Sequence, residues 1–243
     1  MDFETIKSRV IRDVDPKDSM LIANNYEQYF DVGESGIKAI LSGLSDANKN
    51  TKNIRNILDY ASGYGRVARW IKAAFPSSYI TAVDADINCI RSLQQILSLN
   101  AVEIADLEMN SKIVGGPFDL IWMGSLITHF SELKTKHVLS YLYDNLSMDG
   151  LLIGTMHGPF VSERLRGRVK DYGLKETEIV RHLEELDASG YGFGPYHHNP
   201  EYGISSWTEE KGYSMFEDTG FIVISYKHVE WARHQDVFVL YKS

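Results

Sequence analysis

The chain has 243 residues, 44% hydrophobic and 24% charged, with a formal net charge of −8, which is enough for one well-packed domain with an elaboration and speaks against a nucleic-acid scaffold, since those carry a basic face. Its single cysteine, Cys89, excludes an internal disulfide and any cysteine-based zinc cluster. No apolar run reaches the length of a membrane span, and the acidic start Met1-Asp2-Phe3-Glu4 lacks a signal-peptide pattern, so a cytoplasmic protein without a membrane span is expected.

Residues 1–50 read as a helical, amphipathic cap with breaks near Asp15-Pro16 and Gly33-Glu34-Ser35-Gly36. Tyr26, Tyr29 and Phe30 are spaced for one helix face, which either packs on a sheet or closes over a ligand. Strand and helix then alternate over 51–157. Strands are predicted at Ile54–Asp59, Tyr79–Asp84, Val102–Ala105, Phe118–Met123 and Leu151–Met156. Helices are predicted from Gly65 to Phe75, from Asp86 to Leu99 with Asp86 as N-cap, and from Ser131 to Leu146, where Met148-Asp149-Gly150 would be the exit turn. The strands are mostly apolar, as expected when both faces of a parallel sheet are covered. Residues 158–205 break this rhythm. They are rich in Gly, Tyr and His, too long for an ordinary connection, and read as an insertion or lid. Within it Arg164, Arg166, Arg168 and Lys170 form a local basic run, read as a solvated helix face. Residues 206–243 supply a last helix, with Ser206 and Glu209 as a capping box, and strands at Phe221–Tyr226 and Val237–Tyr241 that would form a terminal hairpin. The chain reads as one domain, 1–243.

The stretch Asp59-Tyr60-Ala61-Ser62-Gly63-Tyr64-Gly65-Arg66 carries most information. An apolar strand, a glycine turn, a helix and a second strand ending in Asp84 build a nucleotide-type pocket at the carboxyl end of a parallel sheet. Gly63-Tyr64-Gly65-Arg66-Val67-Ala68 also fits the dinucleotide fingerprint. Asp59 separates the two readings: an acid there repels a pyrophosphate but suits a cationic amino group.

On these residues the chain resembles the class I S-adenosylmethionine-dependent methyltransferases, over roughly residues 54–157. Their first motif runs acid-x-Gly-x-Gly-x-Gly, and here Ala61 stands for the first glycine. The resemblance implies an α/β, Rossmann-like seven-stranded sheet, mostly parallel with an antiparallel last strand and helices on both faces. It implies S-adenosyl-L-methionine as cofactor. Asp59 with Ala61, Ser62, Gly63, Gly65 and Arg66 would hold the amino-acid portion; Asp84 would hold the ribose, with Ala85 beside the adenine. Asp106 and Leu107 would meet the adenine amino group, and Gly124 and Ser125 the methionine moiety.

Removing an acceptor proton calls for a histidine or carboxylate. His157 and His129 follow predicted strands and open on the cofactor crevice; His197 and His198 lie in the insertion. His157 is the first choice, with Gly158-Pro159 fixing its backbone. No His or carboxylate pair has clear metal-ligand spacing, so no metal is expected. Asn199-Pro200-Glu201-Tyr202 is similar to the Asn/Asp-Pro-Pro-Tyr/Phe loop of amino-group methyltransferases acting on nucleic acids, but it does not follow the fourth strand and has Glu201 in the third place. The expected partner is therefore a small-molecule or glycan acceptor methylated on oxygen, not nucleic acid; a homo-oligomer is left open. The alternatives are an N or C acceptor, including a peptide or protein, or a non-catalytic cofactor-binding relative.

Overall fold

The computed structural model describes residues 2–104 and 112–243. Strand alternation explains the unbroken apolar runs. In β1 (Asn56–Tyr60), Ile57 faces one core while Leu58 and Tyr60 face the other. Leu120 and Trp122 of β4 (Phe118–Met123) join the first core, and Ile121 and Met123 the second. Each strand needs apolar side chains on both faces because helices cover both. Helices α1 (Phe3–Arg9), α2 (Tyr26–Asp46), α3 (Ala68–Ala74) and α4 (Ile87–Leu97) pack on one face. Helices α5 (Glu132–Asn145) and α8 (Glu209–Asp218) pack on the other.

With β2 (Tyr79–Asp84), β3 (Asn100–Glu103), β5 (Leu146–Met156), β8 (Ile222–Trp231) and β9 (Gln235–Tyr241), the sheet has the order β3-β2-β1-β4-β5-β9-β8. β9 runs antiparallel to both its neighbours; the pairings from β3 to β5 are parallel. The expected seven-stranded, Rossmann-like sheet with an antiparallel last strand is the observed one. Strand order reverses between β1 and β4, which opens a crevice at their carboxyl ends. No helix among the described residues is long and apolar enough to cross a membrane.

Four local expectations are corrected. The breaks expected near Gly33–Gly36 are absent: α2 is continuous for 21 residues, and its glycines lie on the packed face. The expected turn at Met148–Gly150 belongs to β5, which follows α5 directly; Asp149 (φ 63°) is held there by its N–H donating to the Lys242 carbonyl. The last helix is capped by Thr208, whose side chain accepts from the Lys211 N–H, while Ser206 is buried in a strand. β3 begins at Asn100, two residues earlier than expected, and Ala105 lies outside the described residues.

Residues 158–207 fold as a layer of their own over the strand ends. Helices α6 (Pro159–Arg166) and α7 (Glu176–Ser189) enclose a small apolar cluster with the hairpin of β6 (Tyr191–Tyr196) and β7 (Asn199–Trp207). Arg166 and Arg168 in the basic run pair with Asp187 and Glu176.

A buried cation ties the N-terminal segment down. Arg69 is 1% exposed; its guanidinium donates to the carbonyls of Gly65 (3.0 Å), Ile11 (2.9 Å) and Asp13 (2.7 Å). The Tyr29 hydroxyl lies 3.4 Å from the same group and donates to Asp18 at 2.7 Å. Most of the guanidinium's donors thus have partners, which offsets the cost of burying it.

Helix α2 crosses α3 at Gly33, where an added Cβ would lie 2.5 Å from the Arg66 carbonyl oxygen and 2.5 Å from Trp70 Nε1. Alanine at a helix interior ordinarily gains about 1 kcal/mol over glycine, but overpacking costs about 1–3 kcal/mol. Backbone cannot yield here as a side chain would. Gly33→Ala is therefore expected to lower stability by up to about 2 kcal/mol, read as a fall in the urea midpoint at unchanged slope.

Candidate functional site

The carboxyl ends of β1, β2 and β4, together with Asp18, Ser19 and Met20 and with Asn199 and Tyr202 of β7, line a cavity of about 690 Å³. Its floor is the turn after β1. Ala61, Gly63 and Gly65 there have φ of 61°, 54° and 85°. Gly65 is fixed by contact as well as by φ, since a Cβ would meet Leu97 Cδ1 at 2.5 Å. Ala61 adopts a left-handed conformation that usually falls to glycine and costs an alanine about 1–2 kcal/mol. Hydrogen bonds hold the turn: the Ser62 N–H donates to the Val83 carbonyl (2.9 Å), the Ser62 hydroxyl to the Asp59 carbonyl (2.7 Å), and the Gly63 N–H to Asp84 Oδ2 (2.8 Å). Apart from its chain neighbours, no described residue has an atom within 4 Å of where a Gly63 Cβ would stand, so this backbone is open to a ligand.

Asp59 is 2% exposed, and its Oδ2 has no hydrogen-bond partner among the described residues. Burial, with Asp84 nearby as a second negative charge, pushes its pKa up to about 7. An unpaired buried carboxylate oxygen on a cavity wall is a receptor for a cation. Asp84 accepts from Gly63 and, through Oδ1, from the Asp86 N–H at 3.0 Å. Each oxygen keeps a lone pair for a hydroxyl donor. Arg66 also lines the cavity; its guanidinium stands 5.9 Å from the Trp231 ring centroid and makes no ion pair with a described residue.

The far wall begins at the end of β4. Gly124 and Ser125 line it, and Ser125 is left-handed (φ 60°). A buried ring of polar groups holds it: the Ser125 N–H donates to Thr155 Oγ1 (2.8 Å), which donates to Gln235 Oε1 (2.6 Å), whose amide returns to Ser125 Oγ (2.8 Å). Arg69 and Gln235 were not singled out for these roles in the sequence, because no local pattern marks them.

The four candidate histidines separate. His129 lines the cavity, stacked on Tyr202 at 4.6 Å. Its Nδ1–H donates to the Gly203 carbonyl at 2.7 Å, and Nε2 carries the lone pair with no partner among the described residues. Burial, outweighing the Gly203 bond, lowers its pKa, so it is neutral at pH 7. His157 is 3% exposed, does not line the cavity, and donates from Nδ1 to the Ser205 carbonyl at 3.0 Å. Burial, followed by the neighbouring His129 and His234, holds its pKa well below the usual range. His197 and His198 are exposed and do not line the cavity; His197 lies 3.0 Å from Lys175 Nζ, and His198 stacks on Tyr196. Asp106 and Leu107 lie outside the described residues. Ala85, Ser62 and Arg66 join the cavity wall with the other cofactor candidates; Gly65 lies behind it.

Residues 57–150 match the family described as methyltransferase domain. Residues 57–150 are a methyltransferase domain. No curated protein matches the chain in sequence. Among solved structures the chain is similar to human N-acetylserotonin methyltransferase in complex with SAM (15% identity, TM-score 0.53, 87% of this chain and 51% of that one). It is also similar to an O-methyltransferase family protein from Burkholderia thailandensis (11%, 0.57, 93% and 63%) and to the PH0226 protein from Pyrococcus horikoshii (14%, 0.62, 95% and 97%). The chain thus spans about half to two thirds of the length of the first two. At these identities the likeness is one of fold.

The methyltransferase cofactor carries a cationic amino group, a carboxylate and a ribose diol. The Asp59 oxygen and the Arg66 guanidinium, both without a hydrogen-bond partner among the described residues, and the Asp84 carboxylate suit these three in turn, and the open backbone at Gly63 leaves room. An ammonium favours ionised Asp59, so the bound pKa lies below the free value and binding releases a proton at pH below about 7. S-adenosylhomocysteine affinity, measured by calorimetry, is therefore expected to rise as pH approaches about 7 and to level off above it. Asp59→Asn should bind more weakly and lose that rise. Asp84→Ala is expected to cost about 2–3 kcal/mol, or about 30- to 150-fold in affinity, with the fold retained.

Proposed function

We propose that this domain methylates a hydroxyl oxygen of a small molecule or sugar, with His129 as general base. The observation that carries the reading is a single cavity lined at one side by Asp59, whose Oδ2 has no partner among the described residues, and at the other by a neutral histidine whose Nε2 has none either.

S-adenosylmethionine, when bound, supplies a methyl group already activated on a sulfonium. What remains for the chain is to orient, exclude water and take a proton. Asp59, Arg66 and Asp84 anchor the donor side. Phe130, Leu126 and Tyr202 supply apolar wall on the acceptor side, and the strap Asp18–Met20 covers the crevice from the N-terminal segment. His129 Nε2 receives the hydroxyl proton as the oxygen gains the methyl carbon. The Gly203 carbonyl keeps Nδ1 protonated and so keeps the right nitrogen free. Similarity of fold to an O-methyltransferase family protein is consistent with an oxygen acceptor.

His157 has a different part in this reading. It and His129 donate to the Ser205 and Gly203 carbonyls, two residues apart on β7, while the Ser205 hydroxyl donates to the Ile127 carbonyl at 2.8 Å. His157 therefore positions the hairpin that closes the acceptor side.

His129→Gln keeps a donor for Gly203 but has no base. It is expected to lower kcat about a hundredfold or more, with S-adenosylhomocysteine affinity nearly unchanged. Because burial lowers the His129 pKa, the wild-type acid limb should lie below pH 6.5, the ordinary histidine value, and vanish in the variant. Full turnover in His129→Gln together with its loss in His157→Ala would move the base to His157. S-adenosylhomocysteine formation only with amino-substituted acceptors would reject the oxygen reading.

A further inference from the structure

The cavity is electrically lopsided. Asp59, Asp84 and Asp86 all come from the ends of β1 and β2, and Asp18 from the N-terminal strap. The part contributed by β4, α5 and β7 has no carboxylate; it has Lys134. This lysine sits in the first turn of α5, with Nζ 4.5 Å from the Phe130 ring centroid, and makes no ion pair among the described residues. The acid on the same turn, Glu132, is already held by Lys211 at 2.9 Å and Lys136 at 3.3 Å and does not line the cavity. A half-buried ammonium over an aromatic face has lost part of its water, so an arriving carboxylate gains more than it would at an exposed lysine. The adjoining walls are flat: Tyr202 stacks on His129 with 16° between the rings and meets Phe130 edge-on at 6.0 Å. Flat aromatic walls take the face of a ring.

We propose that the acceptor is a hydroxylated ring bearing a carboxylate, with Lys134 receiving that charge while the ring lies against Tyr202 and Phe130. The proposal rests on the methyltransferase reading above. An aromatic acid and a uronic acid share this chemistry. With the carboxylate on Lys134, the ring hydroxyl is presented toward His129. No metal or further co-reactant is called for, and the proton and methyl group move as already described.

The test pairs each acid with an uncharged counterpart: 3,4-dihydroxybenzoate with its methyl ester, and glucuronate with glucose. S-adenosylhomocysteine formation gives kcat and KM, and titration into the S-adenosylhomocysteine-loaded protein gives affinity. At least one acid is expected to exceed its counterpart tenfold or more in kcat/KM, and the arm in which it does so identifies the ring. Lys134→Met should raise the KM of that acid tenfold or more with kcat little changed and leave the uncharged counterpart unaffected; Lys134→Arg should restore the KM. Parity between acid and counterpart in both arms overturns the proposal, as does no binding of either acid to the loaded protein, or an unchanged KM in Lys134→Met. Each of these leaves the methyltransferase reading standing. Failure to bind S-adenosylhomocysteine at all would instead remove that reading and the proposal with it.

Discussion

The site depends on a turn of the backbone. Between β1 and α3 the chain passes through three left-handed residues, Ala61, Gly63 and Gly65, within five positions. That path turns the Gly63 N–H onto the Asp84 carboxylate and the Ser62 N–H onto the Val83 carbonyl, so one short loop joins β1 to β2. It also leaves Asp59 facing the crevice with an oxygen that no described residue satisfies. A protein that buries such an atom gives up stability at that point. A cationic group at that oxygen would offset the cost.

The opposite wall of the cavity is built differently, from parts far apart in the chain. Three consecutive carbonyls of β7, Gly203, Ile204 and Ser205, each take a histidine Nδ1–H, from His129, His182 and His157. Burial is the main reason that all three histidines titrate low, His182 at about 4. They therefore hold β7 as neutral donors across the ordinary physiological range. The hairpin is clamped to the strand ends at a depth set by imidazole length, and Tyr202 is carried into the cavity as a result.

What the sequence discloses follows locality. Strand, turn and helix around Asp59–Arg66 occur in one continuous run, so the sheet and its nucleotide-type crevice are readable from spacing. The continuity of α2 was not, because Gly33 and Gly36 are there for Trp70 and Val67, more than thirty residues on. Nor could spacing rank His129 against His157. Both follow strands that end at the crevice, and their difference arises only when β7, over forty residues beyond either, lies down across them. Arg69 looks like an ordinary helix residue. Its importance depends on the carbonyls of Ile11 and Asp13, which no pattern near it announces. Lys134 is similarly silent until Phe130 is seen beneath it.

The position of β9 has a consequence for how this chain assembles. β5 and β8 both precede it in sequence, yet β9 lies between them. The two earlier strands cannot pair with each other in the native register; each must wait with an unsatisfied edge. Val237 and Val239 complete one core and Phe238 and Leu240 the other, so a single late strand seals both layers. Folding is thereby made all-or-none with respect to residues 235–241, at the cost of an interval during synthesis in which β5 presents an apolar edge open to capture by a chaperone or by another nascent chain.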